Sequence, residues 1–241
     1  NGTFPSGGFS LFMDSLEKNS TYYYRWLGGN SASSAVWSEP TMDGLSHWWK
    51  FNENSGTFTR NEVGQNEGTL VGMSASDRLF GYQGKALRFE GDGGHVVVKA
   101  FKGVLGALPR TTTMWIKTND SNGSLFSWGD GSAGGKWELC LENGYLKLEV
   151  GNGNLIGNTL VNDDQWRLVA ATLPSGSTVL SDCVLFVDGV METASVSPAN
   201  GVTVNTQAQD DLMIGSNSSG NHFTGVVDEL RIYARGLSPV E

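Results

Sequence analysis

The chain has 241 residues, 33 of them Gly, and its Gly has no three-residue period and no heptad persists, which excludes collagen and coiled coil. Sixteen Lys and Arg against 25 Asp and Glu give a formal net charge of −9 with the acids scattered, so no field collects phosphates and nucleic acid is not an expected partner. No apolar run reaches the ~18 residues of a membrane span, so no membrane insertion is expected, and with 39% hydrophobic residues the chain has the material for one large core.

Helical periodicity is nearly absent, whereas short alternating runs bounded by Gly, Asn, Asp and Ser recur along the chain. That pattern predicts an all-β fold, a two-sheet antiparallel sandwich. The first 43 residues differ in texture, and Asp43-Gly44 marks a junction between a small N-terminal β segment, 1–43, and a sandwich domain, 44–241. Strands are expected over 47–51, 86–89, 95–98, 111–117, 124–128, 136–142, 145–150, 166–173, 179–187, 211–215 and 223–233. Asn143-Gly144 predicts a type I′ hairpin, because that turn needs positive φ at both central residues, and Asp188-Gly189 predicts a second.

Few of these residues carry catalytic chemistry. Glu138 and Glu142 share a strand face, but four residues along a strand is about 13 Å, and a retaining glycosidase needs its two carboxyls about 5 Å apart. With Lys136 and Lys147 beside them they read as a solvated face. His47, His95 and His222 have no Ser in a Gly-x-Ser-x-Gly elbow to serve, and Cys140 has no evident His partner. The Gly-rich pieces 91–94 and 129–135 lack the Lys-Ser/Thr and helix of a phosphate cradle and read as turns. Cys140 and Cys183 are either one disulfide or two buried thiols.

Two kinds of site remain. Asp228 lies on an otherwise apolar strand, where an unpaired carboxylate is costly to bury, which makes it the leading metal ligand. Sugar sites pair aromatic platforms with hydrogen-bonding groups. Trp128 and Trp137 flank the Gly-rich 129–135 loop, and with Asp130 they form the expected ligand site. Loops 151–158 and 216–222 are expected at the same end of the sandwich. Trp48 or Trp49, Trp115 and Trp166 are assigned to packing. The alternation of Trp137 with Leu139 and Leu141 favours a competing account, in which Trp128 and Trp137 only pack on each other.

Leu16-Glu17-Lys18-Asn19-Ser20-Thr21-Tyr22-Tyr23-Tyr24-Arg25-Trp26, Gly29-Asn30-Ser31-Ala32 and Val36-Trp37-Ser38 resemble the last three strands of a fibronectin type III-like domain. From position 45 a longer resemblance runs. Trp48-Trp49-Lys50-Phe51-Asn52-Glu53-Asn54-Ser55-Gly56, Gly64-Gln65-Asn66-Glu67-Gly68-Thr69-Leu70 and Gly84-Lys85-Ala86-Leu87-Arg88-Phe89-Glu90-Gly91 are similar, in order, to motifs of LamG-like concanavalin A-type jelly-roll domains. Thr113-Met114-Trp115-Ile116-Lys117, Asp164-Gln165-Trp166, Leu185-Phe186-Val187-Asp188-Gly189 and the run from Phe223 through Val227-Asp228-Glu229-Leu230-Arg231-Ile232-Tyr233 to Ser238 continue the series.

The resemblance implies a jelly roll whose first and last strands pair, and a chain that runs on past Glu241. It also implies a structural Ca²⁺ held by Asp228 with Glu53, Asn61 and Asp92, although the family more often has Asp where Asn61 stands. The expected function is a non-catalytic carbohydrate- or protein-binding module of a large secreted or cell-surface bacterial protein, with a glycan or an extracellular protein as partner. The rival is a structural spacer or self-assembling extracellular subunit, in which the N-terminal segment pairs strands with a neighbouring domain or chain. A polysaccharide hydrolase or lyase ranks below both.

Overall fold

The structure is a computed structural model describing residues 42–198, 201–238 and 241, and its compact unit begins at Asp43. The fibronectin-like segment and its strand pairing fall outside the described residues. The strands are β1 (Leu45–Trp49), β2 (Phe58–Thr59), β3 (Gly68–Val71), β4 (Arg78–Phe80), β5 (Lys85–Glu90), β6 (His95–Val98), β7 (Arg110–Lys117), β8 (Gly123–Gly129), β9 (Lys136–Glu142), β10 (Tyr145–Glu149), β11 (Asn154–Leu160), β12 (Arg167–Leu173), β13 (Val184–Val187), β14 (Val190–Met191), β15 (Ser195–Ser197), β16 (Asp210–Ile214) and β17 (Thr224–Tyr233). Helix among the described residues is limited to two 3-10 turns, Ala75–Asp77 and Leu180–Asp182.

The strands form two sheets, the all-β sandwich expected. The first runs β14-β13-β12-β7-β17-β5-β4, with β1 also on β17, and the second runs β15-β11-β10-β9-β8-β16-β6-β3-β2. The pairing of β1 with β17 is antiparallel, so the first and last strands of the sandwich do meet. Period-2 alternation decides which side chains enter the core. On β9, Trp137, Leu139 and Leu141 point inward against Leu146 and Leu148 of β10, while Lys136, Glu138 and Glu142 point outward. The Asn143-Gly144 turn has φ of 53° and 83° and sets Glu142 opposite Tyr145, as the type I′ hairpin predicts. Asp188-Gly189, at 51° and 78°, likewise closes β13 onto β14.

A bulge keeps β17 in phase. The register slips between Asp228 and Arg231, and Glu229 takes the left-handed conformation with φ 56°. The extra residue lets Val227, Leu230 and Ile232 all reach the core, while Asp228 and Arg231, also buried, stay outside that apolar cluster.

The structure differs from expectation at β11, which occupies most of the 151–158 stretch expected as a loop. The strand's apolar residues Leu155, Ile156 and Leu160 do not alternate with its Asn, Gly and Thr. The backbone amides of Asn158 and Thr159 both donate to Glu192 Oε2 at 2.7 Å, so a distant carboxylate completes the strand's hydrogen bonding. Gly157 leaves room for this carboxylate, since a Cβ there would lie 2.6 Å from the same oxygen.

The cysteines are two free, buried thiols. Cys183 joins the core, and burial pushes its thiol up to about 12, so neither metal nor redox chemistry is favoured there.

Candidate functional site

The structure corrects the expected ligand site. Trp128 is 1% exposed and Trp137 0%, and they sit directly opposite each other on β8 and β9 inside the sandwich. Their rings stack at 6.4 Å, and Phe126 stacks on Trp128 at 5.8 Å. The Trp128 indole donates to Val104 O at 3.3 Å, and Gly103 packs so tightly that a Cβ would meet the ring at 2.3 Å. Asp130 accepts a 2.9 Å hydrogen bond from Ser132 N and another from the Ser132 hydroxyl, which folds its own turn. The inward phase shared with Leu139 and Leu141 prevailed, and neither indole offers a face to a sugar.

The four expected metal ligands are not brought together. Glu53 takes Arg60 N at 2.7 Å and the Arg78 guanidinium at 3.2 Å. Asn61 Oδ1 accepts from Trp48 N and Val63 N. Asp92 is exposed and accepts from Gly94 N at 3.2 Å. No three or more of His, Cys, Asp and Glu form a metal-holding group among the described residues. Ca²⁺ takes about six to eight oxygens, and this set, already committed elsewhere, does not fit it.

Asp228 is different. It is 0% exposed, its Oδ2 accepts from Gln83 N at 2.9 Å, and its Oδ1 is buried with no hydrogen-bond partner. Burial pushes its carboxyl up to about 7; the backbone amides of Gln83, Glu229 and Tyr82 hold it down, and the Glu229 carboxylate adds to the rise.

Glu138 is not part of a solvated face. It is 1% exposed, lies opposite Glu149 across the β9–β10 pairing, and shares Lys136 with it at 2.8 and 2.7 Å. Asn217, in the 216–222 loop, donates to Glu138 Oε1 at 2.7 Å. Lys147 binds Glu142 at 2.8 Å and Glu149 at 3.3 Å. Burial raises the Glu149 carboxyl, but Lys136 and Lys147 together bring it below its ordinary value. A glycosidase acid must hold a proton near neutral pH, and Glu149 is held the opposite way.

Trp115 and Trp166, expected to pack in the core, stand outside it. On β7, Met114 and Ile116 are buried, so Trp115 between them points out of the sandwich and is only half-buried. Tyr82, in the turn between β4 and β5, lies flat on Trp115, with ring centroids 3.5 Å apart and planes 13° apart. Trp166, immediately before β12, meets Tyr82 edge-on at 6.2 Å. Tyr82 is 38% exposed, so the three rings form a platform on the outer face of the first sheet. The signal for Trp115 was present in the strand's phase; nothing local announced Tyr82.

Two stacked antiparallel sheets, strands β1 and β17 joined, and a partly exposed aromatic platform define a lectin-like β-sandwich. The sequence profile of the Concanavalin A-like lectin/glucanases superfamily matches residues 90–241, and the chain belongs to that superfamily. No curated protein matches the chain. Among solved structures it is similar to domain 4 of AbnA, a GH43 extracellular arabinanase from Geobacillus stearothermophilus in complex with arabinotriose. That similarity has a TM-score of 0.61 and 19% identity and covers 81% of this chain and 95% of that one. The binding domain of Paraclostridial Mosquitocidal Protein 1 gives 0.58 at 15% identity, covering 82% of this chain and 50% of that one. Trypanosoma rangeli sialidase in complex with sialic acid gives 0.58 at 14%, covering 88% of this chain and 34% of that one. At these identities the likeness is one of fold.

Proposed function

We propose that the chain is a non-catalytic glycan-recognition module of a larger secreted or cell-surface protein. The observation that carries this reading is the Tyr82–Trp115–Trp166 platform, because an aromatic ring left partly open on a rigid sheet is what the apolar face of a sugar stacks on. The complexes of the arabinanase domain with arabinotriose and of the sialidase with sialic acid agree with a sugar ligand. A hydrolytic role is disfavoured because Glu138, Glu142 and Glu149 are tied to Lys136 and Lys147.

Affinity electrophoresis through arabinan, xylan, galactomannan, mixed-linkage β-glucan and a sialylated mucin tests the reading. At least one polymer should retard the 241-residue chain. Tyr82→Ala and Trp166→Ala should each weaken that binding by about 1–3 kcal/mol with little change in melting temperature. Retardation by none of the five, or unaltered retardation of both variants, overturns it.

Calcium belongs to this proposal only at Asp228, through the buried and unpartnered Oδ1, with Glu53, Asn61 and Asp92 left out. A native-state ligand stabilises by about 2.7 kcal/mol at a hundredfold excess over Kd. Added Ca²⁺ should therefore raise the melting temperature of chelator-treated protein, and Asp228→Ala should abolish the rise. An equal rise in the variant would place the ion elsewhere.

A further inference from the structure

Tyr82 stands on a turn that has almost no freedom of its own. Gly81 N donates to Gly84 O at 2.9 Å, which closes Gly81, Tyr82, Gln83 and Gly84 into one tight loop, and Gly84 has φ 76°. Two side chains hold this loop, one from β17 and one from the segment that follows β1. Asp228 Oδ2 accepts from Gln83 N at 2.9 Å, and Asn52 Oδ1 accepts from Lys85 N at 2.6 Å. Both approach so closely that only glycine fits. A Cβ on Gly81 would lie 2.5 Å from Asp228 Oδ2, and one on Gly84 would lie 2.2 Å from Asn52 Oδ1.

A second observation points to the same two residues. Asn52 directly follows Phe51, which is buried and holds φ 57°, and Asp228 directly precedes Glu229, with φ 56°. Left-handed backbone is costly for bulky residues and persists only where the surroundings enforce it. Here it turns the chain at the end of β1 and opens the bulge in β17, at the two points from which the clamping oxygens are delivered. Beyond the turn, Asp228 lies beside Trp115 in the β17–β7 register, so the floor of the platform and its clamp are neighbours on one sheet face.

We propose that Asp228 and Asn52 are positioning residues for glycan binding: they clamp the Gly81–Gly84 turn so that Tyr82 is held flat on Trp115 as a preformed stacking surface. The proposal rests on the platform being the glycan site. Asp228 is buried beneath the turn and touches no sugar; it acts on glycan binding through Tyr82. A platform ordered before binding spares the ligand the entropy of ordering a loop and an aromatic side chain, which is where preorganised sites gain affinity.

The test joins affinity electrophoresis on the same five polymers with proton NMR of Tyr82, all in the presence of EDTA. Ring protons stacked on an indole at 3.5 Å resonate well upfield of an ordinary tyrosine. Asp228→Ala and Asn52→Ala should stay folded, move the Tyr82 resonances toward ordinary positions, and weaken binding at least tenfold. Asp228→Asn and Asn52→Asp each keep an acceptor oxygen and should retain both the shift and the binding. Folded alanine variants with wild-type affinity and unmoved Tyr82 resonances overturn the clamp. If Asp228→Ala does not fold, Asn52→Ala decides alone, since Asn52 is exposed and its loss leaves no core cavity. Loss of binding in Tyr82→Ala with full binding in Asn52→Ala overturns the clamp but not the glycan reading. Binding unchanged by Tyr82→Ala, or absent from the wild type, overturns both.

Discussion

Trp128→Ala is expected to lower the unfolding free energy by about 3–5 kcal/mol, a large share of the roughly 5–15 kcal/mol that holds a domain together. The indole is 1% exposed, stacked between Phe126 and Trp137, and hydrogen-bonded to Val104 O. Truncation removes all of these contacts at once. The cavity would not collapse easily, because the Gly103 backbone lines one side and the hydrogen-bonded strands β8 and β9 line the other. The carbonyl of Val104 would also lose its indole donor. Urea unfolding followed by far-ultraviolet circular dichroism measures the loss, and the fraction still folded should bind glycan as the wild type does. A loss below about 1 kcal/mol together with abolished binding would instead return Trp128 to the ligand site the loop composition suggested.

The same residue shows how far strand phase alone determines burial. Trp137, Leu139 and Leu141 are spaced by two, and that phase alone puts Trp137 inside; Trp128 follows because the two-stranded pairing sets it opposite. The glycines of 129–135 serve packing within the fold, admitting the 203–205 backbone at Gly134 and the turn's own Asp130 at Gly135. A Cβ on Gly134 would lie 1.9 Å from Thr203 O and one on Gly135 2.1 Å from Asp130 Oδ1. Trp115 was legible by the same rule, between the inward Met114 and Ile116. The platform as a whole was not, because Tyr82 is 33 positions from Trp115 in the chain and nothing in its neighbourhood predicts what it stacks on. Glu53 fails as a metal ligand for a similar reason: its cation, Arg78, arrives from β4, with two strands lying between them in the chain.

Asp228 was legible as a buried carboxylate on an apolar strand, and its energetics lead to the second large effect. In chelator, stability is expected to fall as pH rises from about 4 to about 7. The folded carboxyl titrates near 7 because burial opposes its charge, while the ordinary value is 3.8. Between those limits the native state holds a proton that the unfolded chain has released, so the slope of unfolding free energy against pH is negative. Three units at about 1.4 kcal/mol each set an upper bound of about 4 kcal/mol. The stabilisation is complete below the unfolded value and gone once pH passes the folded one. Glu229, also raised by burial, adds a slope of the same sign. Glu149 acts at the other end: its carboxyl is lowered, so its contribution is present above its unfolded value of 4.5 and is lost only as pH falls below that. Asp228→Asn isolates the Asp228 share, because the amide keeps an acceptor for Gln83 N and carries no charge at any pH. Thermal melts of both proteins from pH 4.5 to 8 should converge at the acid end and diverge steadily above it, with the variant the more stable. Parallel curves would mean that Asp228 ionises at its ordinary value, and that the unpartnered Oδ1 is solvated.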